Sequence, residues 1–399
     1  LHHISTRILF ENVVPEHSSR FDVYVNEAEG DHRLVRKTTL MAERKPGKHL
    51  INLLRECTVV RDGTLRYEPR YTLFLGAGAS KQSGVPLANE MVAEFRRAYA
   101  SIYETPLTEN EWYSEETLYS DLFERLFDEP SVRREYIEDK VKFARPSWGY
   151  FYLVNLINIS LFNTIFTTNF DDLLNDACHS FSEDLRPMVC AHDSSIRSIR
   201  ITSTRPKIIK LHGDFLYDNI KNTVPELASL EDNTRDKFAQ YSTEYGLIVT
   251  GYGGNDQSVM DSIEEGVRAK SFPHGVYWCV RTDDPISLRL RNLLRYSNVH
   301  LVNIRGFDEF MAELHDNITP MHPMIDNPYR VYGVRMLNML NNVSVGKLDP
   351  IIQRDADLLS RSIEATEKQI SFPRPLIQRS CHLEGRGCRK SENTAVAAV

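Results

Sequence analysis

Cysteine is scarce in this chain. Six occur in 399 residues, at 57, 178, 190, 279, 381 and 388, and no two are spaced C-x-x-C. That spacing excludes a zinc site built from paired C-x-x-C motifs and offers no disulfide framework. It fits a reducing cytoplasm, where the chain is expected to reside. An excess of positive charge is also lacking: 48 Lys and Arg stand against 55 Asp and Glu, a net charge of −7. Without a basic excess, direct nucleic-acid binding is not expected. Long apolar runs are missing too. The most apolar stretch, 151–162, is interrupted by Asn155 and Asn158. A membrane span takes about 20 apolar residues, so no membrane association is expected. The opening residues carry no basic segment followed by an apolar core, and no signal peptide is read there. There is no internal repeat. What is present is ordinary globular chemistry, 41% hydrophobic, 10% aromatic and 26% charged, enough to bury a large core.

The chain reads as three regions. Residues 1–70 mix a β-like run (RFDVYV), charge clusters, a Pro-Gly at 46–47 and a short helix expected at 50–54, and form an accessory N-terminal region. From 71 to 318, short apolar runs recur: TLFLG, NTIFTTN, KIIKLHGD, GLIVTGYGG, GVYWCVR and NVHLVNI. Each leads into a turn and usually a helix, expected at 90–99, 171–178, 226–241, 258–269, 286–294 and 307–314. Runs apolar throughout are strands buried on both faces. Their alternation with helices implies right-handed parallel crossovers. The expected fold class is therefore α/β, a Rossmann-like doubly wound, mainly parallel sheet. A helical insertion is expected at 115–160, with Pro146 in the first turn of its last helix. Residues 319–399 read as a helical C-terminal region, with helices at 334–340 and 349–370, ending in an aperiodic tail. The second helix packs on its own domain or serves an oligomer or partner.

Four constellations stand at the carboxyl ends of expected strands, where open α/β sheets bind ligands. The first is Gly76, Ala77, Gly78, Ala79 and Ser80, followed by Ser83-Gly84-Val85-Pro86. Tiny residues there let backbone N–H groups approach a pyrophosphate. The second is Thr167-Thr168-Asn169-Phe170-Asp171-Asp172, whose polar residues are also ordinary helix caps, and taken alone the cap reading prevails. The third is His212-Gly213-Asp214. A histidine ordinarily titrates near 6.5, which suits a general base, and the glycine behind it leaves one side open. The fourth is Gly251, Tyr252, Gly253, Gly254, Asn255 and Asp256, suited to backbone contact with ribose or phosphate. Each alone is a weak signal. Four converging on one crevice read as a site. The basic run Arg197, Arg200, Arg205, Lys207, Lys210 reads as a solvated face.

Together these residues resemble the sirtuin superfamily. GAGAS followed by SGVP is similar to the sirtuin GAG-[IA]-S…SGIP loop, TTNFD to its T-[QT]-N-x-D motif, KLHGD to the strand bearing the catalytic histidine, and GYGGND to the late ribose-binding loop. The resemblance spans about 70–315, in order. It implies a sheet that binds NAD and scission of the nicotinamide–ribose bond. Asn169 and His212 are then catalytic, with Asp171 orienting Asn169 or a ribose hydroxyl. Gly76 to Ser80, Pro86, Thr168, Asn169, Gly251, Tyr252, Gly253 and Asp256 contact the nucleotide. The chain lacks the zinc module of protein-deacylating sirtuins, so no zinc is expected. It also reads Leu87-Ala88-Asn89-Glu90 where they carry Asp-Phe-Arg. TTNFD and GYGGND resemble the sirtuin-like domains of bacterial antiphage defence. That likeness implies an NAD hydrolase (an NADase) releasing nicotinamide and ADP-ribose in abortive infection. It acts as a homo-oligomer, with a HerA-type ATPase or, less in keeping with this chain's length, a short Argonaute. A deacylase or ADP-ribosyltransferase, and a non-catalytic NAD or ADP-ribose sensor, are the alternatives.

Overall fold

Short runs of β-branched and aromatic residues become strands β1 (Arg44–Pro46), β2 (Thr58–Arg61), β3 (Thr64–Tyr67), β4 (Tyr71–Leu75), β5 (Thr164–Thr167), β6 (Met188–Cys190), β7 (Lys207–Lys210), β8 (Gly246–Thr250), β9 (Val276–Val280) and β10 (Val299–Asn303). The helices are α1 (Gly47–Arg55), α2 (Ala88–Ile102), α3 (Leu118–Leu126), α4 (Pro130–Val141), α5 (Trp148–Asn158), α6 (Leu173–Phe181), α7 (Asp193–Arg197), α8 (Asp232–Glu244), α9 (Gln257–Arg268), α10 (Leu288–Leu293) and α11 (Phe307–Ile318). This computed structural model describes residues 44–115, 117–182, 184–212, 232–318, 357–358 and 360–365. Two units divide at 320. Every element named above belongs to the first. In the second, the described residues 357–358 and 360–365 are helical, within the helix expected at 349–370. RFDVYV, Gly213, Asp214, the start of the helix expected at 226–241, the helix expected at 334–340 and the tail lie outside the described residues.

Eight strands form one sheet in the order β1-β10-β9-β8-β4-β5-β7-β6, and every pair is parallel. From β4 the chain passes to β5, then to β6 at the edge, returns to insert β7 between them, and crosses back to lay β8 on the other side of β4. Side chains on a strand alternate between faces, and β4 does so cleanly. Leu73 and Leu75 join a core with α1, α5, α6 and α11. Phe74 joins the opposite core with α7, α8, α9 and α10. Both faces are thus covered, as an all-parallel sheet requires. The expected doubly wound α/β fold is what forms. Each fully buried Leu, Ile, Val or Phe contributes about 1.5–3 kcal/mol to holding the layers together.

Part of the region expected to be accessory joins this sheet. β1 adds to the edge beside β10, and Leu50, Ile51 and Leu54 of α1 pack in the core beneath it. β2 and β3 make a separate hairpin, turned at Asp62-Gly63, both with positive φ, the backbone a tight two-residue hairpin favours.

Between β4 and β5 the chain inserts α2, where a helix is expected at 90–99, and then α3, α4 and α5 within 115–160. α2, α3 and α4 build their own aromatic core: Phe95 stacks on Phe123 at 5.4 Å, and Phe127 meets Phe123 edge-on at 5.3 Å. Phe170, after β5, packs against it. Pro146 lies one residue before the helix cap, outside the first turn of α5. Ser147 takes the cap because its N–H meets Ser83 Oγ at 3.0 Å and its hydroxyl meets Asp308 Oδ1 at 2.8 Å, and a proline has no N–H to give there. Among the described residues no helix is long and apolar enough to cross a membrane.

Candidate active site at the switch point of the sheet

The loops after β4 and β8 leave the sheet where the strand order reverses, and a cavity of about 580 Å³ opens there. Small-molecule sites commonly occupy about 300–1,000 Å³. The cavity brings together residues from all four constellations: Ala77 and Pro86; Thr168, Asn169 and Asp171; His212; and Gly251, Tyr252, Gly253 and Asp256. Val85, Met91, Val92, Leu118, Ile137 and Val141 make an apolar wall facing them. Gly76, Gly78, Ala79 and Ser80 lie behind the lining.

The glycines explain themselves by contact. A Cβ on Gly76 would stand 2.6 Å from the Gly251 carbonyl oxygen, and one on Gly78 would stand 2.9 Å from Gly251 Cα. One on Gly251, whose φ is +69°, would stand 2.4 Å from the Ala79 nitrogen. Gly76 N–H donates to the Thr250 carbonyl at 3.0 Å and Gly78 N–H to the Gly251 carbonyl at 2.8 Å. The two loops are therefore clamped backbone to backbone, and only residues without side chains allow it. Of the five residues from 76 to 80, Ala77 turns to the cavity.

Behind the cavity wall sits a buried polar knot. Ser80 Oγ donates to Asp171 Oδ2 at 2.7 Å. It accepts from Asn169 Nδ2 at 2.8 Å and lies 2.8 Å from the Tyr150 hydroxyl. Asp171 Oδ1 accepts from Leu173 N–H at 3.2 Å; the cap position of α6 is Asp172, whose side chain makes no capping hydrogen bond, so the cap reading of this segment does not hold. Burial raises the Asp171 pKa above the usual carboxylate range, against the lowering effects of the Ser80 hydrogen bond and the Lys210 charge. Burial, with the Asp171 charge beside it, keeps the Tyr150 phenol well above its ordinary value. Lys210, which the basic run had placed on a solvated face, is buried: its ammonium donates to the Phe170 carbonyl at 3.1 Å and Asp172 Oδ1 at 2.8 Å. Lys207 is likewise buried, whereas Arg197, Arg200 and Arg205 are exposed.

Among the described residues, two buried side-chain atoms of cavity residues have no hydrogen-bond partner: Asn169 Oδ1 and His212 Nε2. Such atoms are costly unless something completes them. His212 Nε2 stands 3.7 Å from Asp256 Oδ1, beyond hydrogen-bond reach. Asp256 caps α9 through Val259 N–H at 3.0 Å and accepts from the Tyr252 hydroxyl. Burial would raise the Asp256 pKa, but His212, Tyr252 and the cap together lower it. Tyr252 is fixed between Phe74 and Trp278, with centroids at 4.9 and 5.7 Å.

Residues 163–302 match the model of a SIR2-like domain. That span holds Asn169, Asp171, His212 and the 251–256 loop. Comparison with curated proteins finds no match. Among solved structures, one concerned with the mechanism and regulation of Sir2 enzymes shares 14% identity, over 70% of this chain and 99% of its own, with a TM-score of 0.41. A Sir2 homologue in complex with NAD shares 14%, over 70% and 98%, with a TM-score of 0.37. A mutant Sir2 homologue in complex with ADP-ribose shares 15%, over 68% and 96%, with a TM-score of 0.38.

Sequence reasoning missed Tyr150, Lys210 and the apolar wall. Tyr150 sits in WGYFYLVNLIN, where an aromatic reads as core, and nothing in the pattern marks its hydroxyl. Lys210 did carry a signal, since lysines bracket two isoleucines in the buried strand KIIK.

Proposed function

We propose that this cavity binds NAD and hydrolyses its nicotinamide–ribose bond, giving nicotinamide and ADP-ribose. The observation that carries the reading is the pair of buried, unpartnered acceptor-capable atoms, Asn169 Oδ1 and His212 Nε2, lining one cavity at the ends of β5 and β7. The SIR2-like match over the same residues and the four sirtuin-like motifs support NAD as the substrate.

The chemistry follows from the charge of NAD. Its nicotinamide ring is cationic, so the glycosidic bond breaks with both electrons going to the ring nitrogen, and nicotinamide leaves neutral. The ribose carbon becomes oxocarbenium-like, the same electronic problem that glycosidases face. Water adds to that carbon and loses a proton to His212 acting as general base. Asp256, 3.7 Å from Nε2, stabilises the imidazolium so formed. Asn169 Oδ1 accepts a hydrogen bond from the attacking water or a ribose hydroxyl. Asp171 acts on Asn169 through Ser80. Ala77, Gly251 and Gly253 offer backbone to the pyrophosphate and ribose, and Pro86, Thr168 and Tyr252 complete the nucleotide contacts. The buried Gly76, Gly78 and Ala79 support that surface. No step calls for zinc.

The likeness of TTNFD and GYGGND to antiphage sirtuin-like domains extends the proposal. This chain depletes NAD in abortive infection, in the cytoplasm, as a homo-oligomer regulated by assembly with a partner such as a HerA-type ATPase. The test is product stoichiometry for the purified chain, alone and with that ATPase. Equimolar nicotinamide and ADP-ribose are expected from NAD and water. Nicotinamide release that requires an acetylated peptide points instead to a deacylase or transferase, and tight NAD binding with no turnover in any assembly points to a sensor.

A further inference from the structure

A serine hydroxyl has one proton to give and two lone pairs to accept with. Ser80, fully buried, has three partners: Asp171 Oδ2 at 2.7 Å, Asn169 Nδ2 at 2.8 Å and the Tyr150 hydroxyl at 2.8 Å. An ionised Asp171 can only accept, so the single Ser80 proton goes to it. The other two partners must then donate. Tyr150 turns its proton to Ser80, and Asn169 turns its amide nitrogen. Reversing the Asn169 carboxamide would set two acceptor oxygens against each other. The outcome is that Asn169 Oδ1 is left buried and without a hydrogen-bond partner, on a residue that lines the cavity.

We infer that Tyr150 is a positioning residue: by donating to Ser80 it fixes the direction of this hydrogen-bond chain and keeps Asn169 Oδ1 turned to the cavity. The inference uses the hydrolase reading for its kinetic test and is independent of it for its structural test. Helix α5 holds the phenol in place, buried, with its ring edge-on to Phe307 at 5.2 Å. Asp308 of α11 faces it, while Lys210 of β7 and Asp172 face Asp171. Removing the hydroxyl empties a buried lone pair on Ser80 and weakens the polarised chain that supports the Asp171 charge. Asp171, already raised by burial, then takes a proton at higher pH. A protonated Asp171 donates to Ser80, and the freed Ser80 proton meets a reversed Asn169.

Tyr150→Phe removes the hydroxyl and keeps the ring. In deuterated, ¹⁵N-labelled protein, the Asn169 side-chain amide pair is assigned by its loss in Asn169→Ala. In wild type one of its protons exchanges slowly with solvent, and in Tyr150→Phe exchange rises by about tenfold or more. Ser80→Ala, which removes the hub, does the same and serves where Tyr150→Phe does not fold. Unchanged exchange in a folded variant overturns the inference, whatever the protein does to NAD. In turnover, kcat for Tyr150→Phe falls by about tenfold, KM for NAD stays within about twofold, and the acid limb of the kcat–pH profile moves upward. A wild-type kcat with an unmoved acid limb overturns the inference. Absence of NAD turnover in wild type overturns only the hydrolase reading, and the amide exchange then decides.

Discussion

At the carboxyl edge of the sheet, the glycine loops after β4 and β8 and the polar residues after β5 and β7 treat their hydrogen-bonding atoms in opposite ways. Gly76 and Gly78 give their N–H groups to the Thr250 and Gly251 carbonyls, and the two loops approach too closely for any side chain. Asn169 and His212 line the cavity and are buried as well, yet each keeps one buried atom without a hydrogen-bond partner. An unpaired buried polar atom costs about 1–3 kcal/mol. Four other buried side-chain atoms of the described residues are also unpaired, on Tyr136, Tyr241, Thr250 and Glu309, but only Asn169 and His212 among the six residues line the cavity. The comparison teaches that the glycine loops close backbone on backbone, and that the polar pair is where the proposed chemistry is to be tested.

The sharpest way to break that division is to remove one member of the pair. Asn169→Ala should lower NAD turnover by about 10²–10³, the range for losing a preorganised polar contact to a reacting centre, while thermal unfolding stays near that of wild type. A drop in stability that accounts for the lost activity would place Asn169 with the glycines. The reverse substitution is Gly251→Ala. It meets the Ala79 nitrogen and an unfavourable φ at once, so it should cost about 3 kcal/mol or more in urea unfolding. Wild-type stability there would show that the loops are not clamped.

These two outcomes also bear on what was legible in the sequence. The central strands could be read because their apolar runs are buried on both faces, as in Gly246–Thr250 and Val276–Val280. β1 and β6, three residues each at the sheet edges, leave too little pattern to read. The convergence of four motifs on one crevice was legible because strand ends in a parallel sheet share a side. The work of the glycines was less so. A small residue beside a ligand and a small residue beside another backbone look the same in one dimension. Tyr150 was hidden for a related reason, since its ring satisfies the apolar pattern while its hydroxyl does something else. Lys207 and Lys210 were misread because a basic run does not tell which lysines point inward.

Asp256 stands between the two groups, and its removal should have a smaller effect. Asp256→Ala deletes the cap of α9 and should cost about 1 kcal/mol. Its folded pKa is lowered, so its contribution is present above the usual carboxylate range and is lost as pH falls through the depressed folded value. The gap between variant and wild type in urea unfolding should close on acidification, and a constant gap would contradict the assignment.

A separate effect, read only in the pH dependence of stability, is expected at the other end of β7, in Lys207. Burial lowers the Lys207 pKa from 10.5 to about 8. The unfolded chain therefore binds more protons than the folded one between those values, and stability gains from this group as pH rises through that window. Lys207→Met removes the gain. The difference in unfolding free energy between the two proteins should change with pH by at most about 1.4 kcal/mol per unit, and a flat difference from pH 8 to 10.5 would show that the amine is solvated.

The most direct test of the account is the rate of nicotinamide release from NAD by wild type and His212→Ala, in the assembly state where wild type is active. A positioned base contributes about 10²–10⁴ in rate. The account predicts a loss of that size with NAD still bound and the fold intact. Wild-type turnover in His212→Ala would contradict it.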